Sequence, residues 1–142
     1  MTVRVSRTFE FEAAPDRVWE FIADPAKRAR AISVVEDFEV NEDGSATWHV
    51  ELPIPVVSST VTVETRDVSR DPPTYVEFTG RSRVMNVRGR HTVESTPAGS
   101  RLVNEFVVDG RLPGVERFFR RNLDAELDNL EDALRRDLGL AV

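Results

Sequence analysis

The sequence has no cysteine, a single lysine and only two histidines in 142 residues. Without cysteine it can form neither disulfides nor cysteine-ligated zinc or iron–sulfur sites, and thiol catalysis is excluded as well. A Schiff-base mechanism would depend on Lys27 alone, which lies in a polar stretch that we expect to be solvated. His49 and His91 are too few for a histidine-rich metal site, so we expect the protein to work without a metal or another cofactor.

Long apolar runs and an excess of basic residues are also missing. No segment approaches the roughly 18 to 20 consecutive apolar residues of a membrane span, and the N-terminus lacks the continuous apolar stretch of a signal peptide. We therefore expect a cytoplasmic protein. A formal net charge of −6, with 25 acidic against 19 basic residues, argues against binding to nucleic acid phosphates. The remaining composition, 40% apolar in 142 residues, predicts one folded domain over residues 1–142.

Apolar and polar residues alternate in seven segments, a pattern typical of half-buried strands. The first segment covers residues 2–12, and the other six lie between Phe38 and Val108. Turns at Asn41–Ser45 and Pro97–Gly99 separate some of them. Because most of the connections are short, the seven segments predict an antiparallel meander.

Three helices complete an α+β pattern. Pro15 favours the start of the first, and the Asp24-Pro25 pair ends it and can cap a second helix through Ile32. From Val115 the apolar residues recur in steps of three and four, which predicts an amphipathic helix of about 24 residues with its C-cap at Gly139. Since the sheet has to bury its apolar face, this terminal helix is the expected partner of the sheet.

This order of elements resembles the helix-grip fold of the START and Bet v 1-like superfamily. The segment APDRVWEFIADPAKRARAI is similar to the superfamily's first-helix signature, with Val18-Trp19 followed by Asp24-Pro25. The run VETRDVSRDPPTYVEFTG resembles the connection between the fourth and fifth strands, and LPGVERFFRRNLDAELDNLEDAL resembles the terminal helix. The chain is similar to the polyketide cyclase/dehydrase-like branch and, more weakly, to the branch of the G-type carbon monoxide dehydrogenase subunits. The resemblance implies a curved seven-stranded antiparallel sheet wrapped around the C-terminal helix, with an apolar cavity between them.

Alternation along the strands assigns a set of apolar side chains to the inner face of the sheet. Either these side chains fill a core, or some of them line a ligand cavity. Val40, Val50, Val76, Val93 and Leu127 belong to this inner set. The apolar residues that we predict to contact a ligand are Phe38, Trp48, Val61, Val63, Phe78, Met85, Val87, Phe106, Phe119 and Leu123.

Two polar residues on the inner face, His91 and Asn104, occupy one predicted hairpin. The hairpin is centred between Pro97 and Ala98, so His91 and Asn104 are directly opposed and their side chains are close enough to interact. Such a pair orients a ligand carbonyl or hydroxyl, acts as a general acid or base, or is a satisfied polar pair within the core. The second histidine, His49, has the opposite parity and is expected to face solvent.

Arg7, Glu36 and Ser59 also fall at inward positions. Arg7 and Glu36 could pair across neighbouring strands, which is more often structural than catalytic. Alternatively, Arg7 could present its charge to an acidic ligand head group, and we include it among the candidate ligand-binding residues.

The sequence therefore predicts a protein that binds or transports a hydrophobic small molecule such as a lipid, a quinone or a polyketide-like compound. It contains none of the common catalytic motifs, so no catalytic residue is assigned unless the protein is an enzyme. In that case His91 would act as the acid or base of a polyketide cyclase or dehydratase-like reaction. A third hypothesis is an accessory protein that docks to a membrane-associated oxidoreductase or a membrane surface through the apolar loops 53–57 and 110–115.

Overall fold

The computed structural model describes residues 2–55 and 60–142, which contain seven strands and three helices. The sheet is antiparallel throughout, and its strand order is β1-β7-β6-β5-β4-β3-β2. This is the expected meander, with the first strand placed beside the last. The elements are β1 (Thr2–Phe11), α1 (Pro15–Ile22), α2 (Pro25–Arg30), β2 (Val35–Val40), β3 (Ala46–Val50), β4 (Val61–Asp71), β5 (Tyr75–Arg81), β6 (Met85–Thr96), β7 (Gly99–Gly110) and α3 (Val115–Leu138).

Helix α3 is the partner of the inner face of the sheet. It has the predicted length of 24 residues, begins after Gly114 and ends at Gly139, which adopts a left-handed φ of 74°. It packs against β1, β7 and α1. Its apolar stripe, at spacings of three and four, is buried. The buried residues of this stripe are Val115, Phe119, Leu123, Leu127, Leu130, Leu134 and Leu138.

The short helices α1 and α2 lie between β1 and β2. Pro15 occupies the first turn of α1, as predicted, and Asp24 caps α2 by accepting hydrogen bonds from the backbone N–H groups of Ala26 (2.9 Å) and Lys27 (3.4 Å). Helix α2 ends at Arg30, two residues before the predicted end. There the chain tightens, because the N–H of the following residue bonds to the third carbonyl before it instead of the fourth.

The strand order corrects one prediction. Strand β1 pairs with β7, whereas β2 lies at the other edge of the sheet and pairs with β3. Arg7 and Glu36 are therefore at opposite edges and do not form the predicted pair. Glu36 is exposed, and a hydrogen bond with the Glu51 carboxyl raises the pKa of its own carboxyl.

Val40 is also misplaced by the alternation. It is 46% exposed, although its parity matches that of residues facing inward. Val40 is the last residue of an edge strand, directly before the turn, so only β3 flanks it. Position along the strand therefore outweighs parity at this residue.

The two predicted contact loops differ in exposure. In loop 53–57 Ile54 is 9% exposed and the adjoining prolines are exposed, while residues 56 and 57 lie outside the described part, as does Ser59. In loop 110–115 Leu112 is 38% exposed and Val115 is fully buried. A docking role for these loops stays a prediction. No helix in the described ranges is both long and apolar enough to cross a membrane.

Candidate ligand cavity

An apolar cavity lies between the inner face of the sheet and α3. Its volume is about 60 Å³. Eight of the predicted ligand-binding residues line it, together with Val50 and Leu127 from the predicted inner set. The eight are Trp48, Phe78, Met85, Val87, His91, Phe106, Phe119 and Leu123.

The cavity is small for a ligand site. Pockets for drug-sized ligands measure roughly 300 Å³ or more, about five times the volume found here. Large side chains account for the difference, since Phe78, Phe106 and Phe119 all project into the same space. The cavity as it stands accommodates a few non-hydrogen atoms, and a larger ligand has to displace part of the lining.

His91 lies among aromatic rings on the cavity wall. Its imidazole stacks on Phe78, with centroids 6.1 Å apart and an interplanar angle of 10°. Phe106 meets it edge-on, with centroids 5.3 Å apart. The side chain of His91 is 1% exposed. These contacts fix the plane of the ring and surround it with apolar groups.

The predicted contact between His91 and Asn104 is present. The two residues are paired in the β6–β7 register, and His91 Nδ1 lies 2.7 Å from Asn104 Oδ1. The Asn104 amide Nδ2 donates to the backbone carbonyls of Arg7 (3.2 Å) and Leu102 (3.4 Å). The Oδ1 atom therefore points at the imidazole, and His91 Nδ1–H is the donor in this hydrogen bond.

The other imidazole nitrogen faces a different situation. His91 Nε2 is buried, and within the described ranges it has no hydrogen-bond partner. Burial lowers the pKa of His91 to about 4, although the hydrogen bond with Asn104 opposes the change. The imidazole is therefore neutral at pH 7, with its proton on Nδ1 and a free lone pair on Nε2.

A second buried polar atom belongs to Trp48. The indole Nε1–H has no partner among the residues that the structure describes, and the indole borders the cavity. Its ring packs on Phe78 with centroids 5.9 Å apart. The cavity wall thus carries one unsatisfied acceptor, on His91, and one unsatisfied donor, on Trp48.

Two charged residues on the cavity wall were not predicted. Arg28 from α2 donates to Asp67 Oδ1 (2.5 Å) and to the carbonyl of Ile22 (3.1 Å), and its guanidinium lies 5.0 Å from the Phe78 ring centroid. Burial lowers the pKa of Arg28 from its usual value, and Asp67 opposes this. The sequence offered one signal, because Asp67 continues the inward parity of Val61 along β4.

Glu126 from α3 is the other unpredicted charged residue. Its carboxylate accepts hydrogen bonds from the backbone N–H of Ser33 (2.8 Å) and from the Ser33 hydroxyl. This contact connects α3 to the segment between α2 and β2. That segment contributes Ile32 and Val34 to the lining, and both are half-buried. Glu126 is three residues from Leu123 and one from Leu127, so the apolar spacing indicates its place on the helix face.

Five predicted ligand-binding residues lie away from the cavity. Arg7 is turned toward α3, where it donates to Asp128 Oδ1 (2.6 Å) and to the carbonyl of Asp124 (3.0 Å). Its charge is thereby used in holding β1 to α3. Phe38 packs beneath the Arg30 guanidinium. Val61 and Val63 are buried in the core, and Asn104 is buried behind His91.

The remaining lining residues come mostly from short connections and helix faces. They are Ile22, Ile32, Val34, Val35, Val108 and Leu130. His49, predicted to face solvent, is half-buried and forms a contact of 2.9 Å with Glu39. In the described ranges no cluster of three or more acidic or histidine side chains is arranged to hold a metal ion.

The chain was compared with protein families and with known proteins. The family described as "Polyketide cyclase / dehydrase and lipid transport" matches residues 2–135. No curated protein matches the sequence significantly.

Solved structures with the same fold span nearly the whole chain. A conserved protein from Geobacillus kaustophilus is 11% identical, with a TM-score of 0.75, and 98% of this chain and 95% of that one are covered. A START superfamily protein from Mycobacterium smegmatis is 14% identical, with a TM-score of 0.73 and coverage of 96% and 97%. The Zhui aromatase/cyclase from Streptomyces sp. R1128 is 22% identical, with a TM-score of 0.69 and coverage of 96% of each chain. At such identities the similarity establishes the helix-grip fold alone.

Proposed function

Because the chain belongs to the polyketide cyclase / dehydrase and lipid transport family, we propose that it binds a hydrophobic small molecule in the cavity between the sheet and α3. The observation that carries this proposal is the combination of an apolar wall with buried polar atoms that lack partners, on His91 and Trp48. A packed core would normally satisfy such atoms. A ligand site leaves them for the ligand.

Apolar burial would supply most of the affinity. A ligand that buries about 200 Å² of apolar surface gains roughly 5 kcal/mol before the entropic costs of association. Arg28 and Glu126 add little to this, because Asp67 and Ser33 already engage their charges.

Ligand entry would require the lining to move. Met85 has a flexible side chain that adapts to irregular volumes. Ile32 and Val34 are half-buried on the segment held by the Ser33–Glu126 contact. Displacement of this segment and of Met85 would enlarge the cavity while the sheet stays in place.

The test compares ligand capture by the purified protein and by a blocked variant. Leu123→Trp places an indole in the cavity, and Arg120→Trp places the same ring on an exposed position of the same helix. We expect small apolar molecules to co-purify with the wild-type protein and Arg120→Trp but not with Leu123→Trp, as measured by native mass spectrometry and solvent extraction. Circular dichroism checks that both variants fold. Equal capture by all three proteins would contradict binding in this cavity.

A second candidate function is catalysis by His91. The observation that favours it is the free lone pair of Nε2 on a neutral imidazole, which can accept a proton from a bound substrate and return it. A reaction of the cyclase or dehydratase type would use the group in this way. His91→Ala would then abolish turnover while ligand binding persists, whereas loss of binding with no turnover to lose would favour a carrier.

A further inference from the structure

We propose that the ligand of this cavity is a neutral molecule of the hydroxyl class, whose O–H donates a hydrogen bond to His91 Nε2. The proposal rests on the proposed function, because it specifies the chemistry of the molecule bound at the same site. It includes a second group, an acceptor such as a carbonyl, for the indole N–H of Trp48.

The acceptor character of His91 Nε2 follows from a chain of three residues. The carbonyls of Arg7 and Leu102 take the N–H groups of the Asn104 amide. This orientation directs Asn104 Oδ1 at His91 Nδ1, at 2.7 Å. With the proton held on Nδ1, Nε2 presents a lone pair to the cavity side and can only accept. Rotation of the Asn104 amide would oppose its oxygen to two carbonyl oxygens, so the tautomer is fixed by backbone geometry.

The charge state of the wall selects a neutral ligand. A carboxylate would place its own lone pairs against the lone pair of Nε2. The only cationic side chain among the described lining residues, Arg28, is already bonded to Asp67 and to the Ile22 carbonyl. An anionic head group therefore finds no free cation at this wall, whereas a hydroxyl finds an acceptor.

Two unsatisfied atoms flank one aromatic ring. His91 and Trp48 each pack on Phe78, with centroids at 6.1 and 5.9 Å. A compact ligand with an apolar body can lie near Phe78, direct its hydroxyl to His91 and direct an acceptor to Trp48. A ligand lacking the hydroxyl leaves Nε2 buried and unsatisfied, and this penalty corresponds to about 10- to 100-fold in affinity.

Phenol and toluene test the donor requirement, because they differ only in a hydroxyl and a methyl group of similar size. Affinities are measured by calorimetry or NMR titration for wild-type protein and for His91→Phe, which replaces the imidazole by an apolar ring. We expect the phenol-to-toluene affinity ratio to be about 10- to 100-fold higher in the wild type than in the variant. A ratio unchanged by the substitution would overturn the proposal, even though toluene binding would leave the proposed function standing.

Failure of the proposed function itself gives a different result. If neither phenol and toluene nor the larger pair 2-naphthol and 2-methylnaphthalene binds to wild-type protein, both the cavity function and the present inference are wrong. Benzoate serves as the charged probe, and we expect it to bind more weakly than phenol. Benzoate binding as tight as that of phenol would contradict the neutral ligand.

NMR of the wild-type protein keeps the test independent of whether His91→Phe folds. With ¹⁵N-labelled histidine, the Nε2 resonance of His91 should shift on addition of phenol and stay in place on addition of toluene. The chain has two tryptophans, and Trp19→Phe identifies the indole signal of Trp48. That signal should shift with 4-hydroxybenzaldehyde, which carries a carbonyl acceptor, more than with 4-methylphenol. A Nε2 resonance that responds equally to phenol and toluene would reject the hydrogen bond, and equal shifts of the indole signal would reject the acceptor at Trp48.

Discussion

Arg28 and Asp67 form a buried ion pair that joins helix α2 to strand β4. Arg28 Nη2 lies 2.5 Å from Asp67 Oδ1, and the two side chains are 7% and 13% exposed. The second Asp67 oxygen binds Arg70 at 2.9 Å. The guanidinium of Arg28 also covers the ring of Phe78, which borders the cavity. The pair therefore positions a short helix and an aromatic wall residue together.

We expect Asp67→Asn to destabilise the protein by about 3 to 5 kcal/mol, because it leaves the Arg28 charge buried without its counter-ion. Urea unfolding followed by circular dichroism measures the change in the free energy of unfolding. Asp71→Asn is the matched control, since Asp71 is exposed at the end of the same strand; its effect should stay within about 0.5 kcal/mol. Equal stability of the two variants would show that the pair contributes nothing.

Local patterns predicted the fold well, whereas contacts distant in sequence were not predicted. The opposition of His91 and Asn104 follows from a hairpin with no bulge, in which counting from the turn fixes every pair. The Arg28–Asp67 pair is 39 residues apart in sequence. Arg28 stands in a short, strongly basic helix, and such a composition is typical of a solvated helix rather than a buried one.

The same distinction explains the candidate site. Strand parity placed Trp48, Phe78 and His91 on the inner face, and all three line the cavity. Parity gave no information on which end of the inner face α3 covers, so Val61 and Val63 are core residues away from the cavity. The contributions of loops, such as Ile32 and Val34, follow no period and become visible only in three dimensions.

His91 makes stability dependent on pH. Its pKa is about 4 in the folded protein and 6.5 in the reference state, chiefly because burial disfavours the charged imidazole. The unfolded chain therefore binds a proton between these values that the folded protein does not. The stabilisation is fully present above pH 6.5 and is lost as the pH falls to about 4, for a total of about 3 kcal/mol.

The measurement is the difference in unfolding free energy between wild type and His91→Gln at several pH values. Carboxylates titrate in both proteins, including Asp67, which faces His91 together with Arg28. The difference between the two proteins therefore isolates the imidazole. His49→Gln should keep the pH dependence of the wild type. If His91→Gln shows the same slope between pH 4 and 6.5 as the wild type, the imidazole is not the source.

Gly89 provides the space for the Phe78 ring. The two residues are paired across β5 and β6, and a Cβ atom at Gly89 would lie 2.2 Å from Phe78 Cε1. We expect Gly89→Ala to push the ring into the cavity and to destabilise the protein by about 1 to 3 kcal/mol. Thermal unfolding tests the stability, and toluene titration tests the loss of cavity volume. Arg88→Ala adds no bulk on the exposed face of the same strand and should leave both unchanged; a Gly89→Ala protein that behaves like this control would refute the contact.

The contact between Ser33 and Glu126 restrains the edge of the cavity. The Glu126 carboxylate accepts two hydrogen bonds from Ser33, one of them from the backbone N–H at 2.8 Å. In Glu126→Ala this N–H loses its acceptor, so we expect its hydrogen exchange to be about 10-fold faster, in keeping with the roughly 1.5 to 3 kcal/mol typical of a hydrogen bond to a charged group. Amide exchange followed by NMR reports it directly, and Glu131→Ala, which removes a carboxylate paired with Arg135 on the same helix, should leave Ser33 unaffected. Exchange at Ser33 that stays at the wild-type rate in Glu126→Ala would mean that packing of Ile32 and Val34 alone holds the segment, and that ligand entry there is limited by apolar contacts.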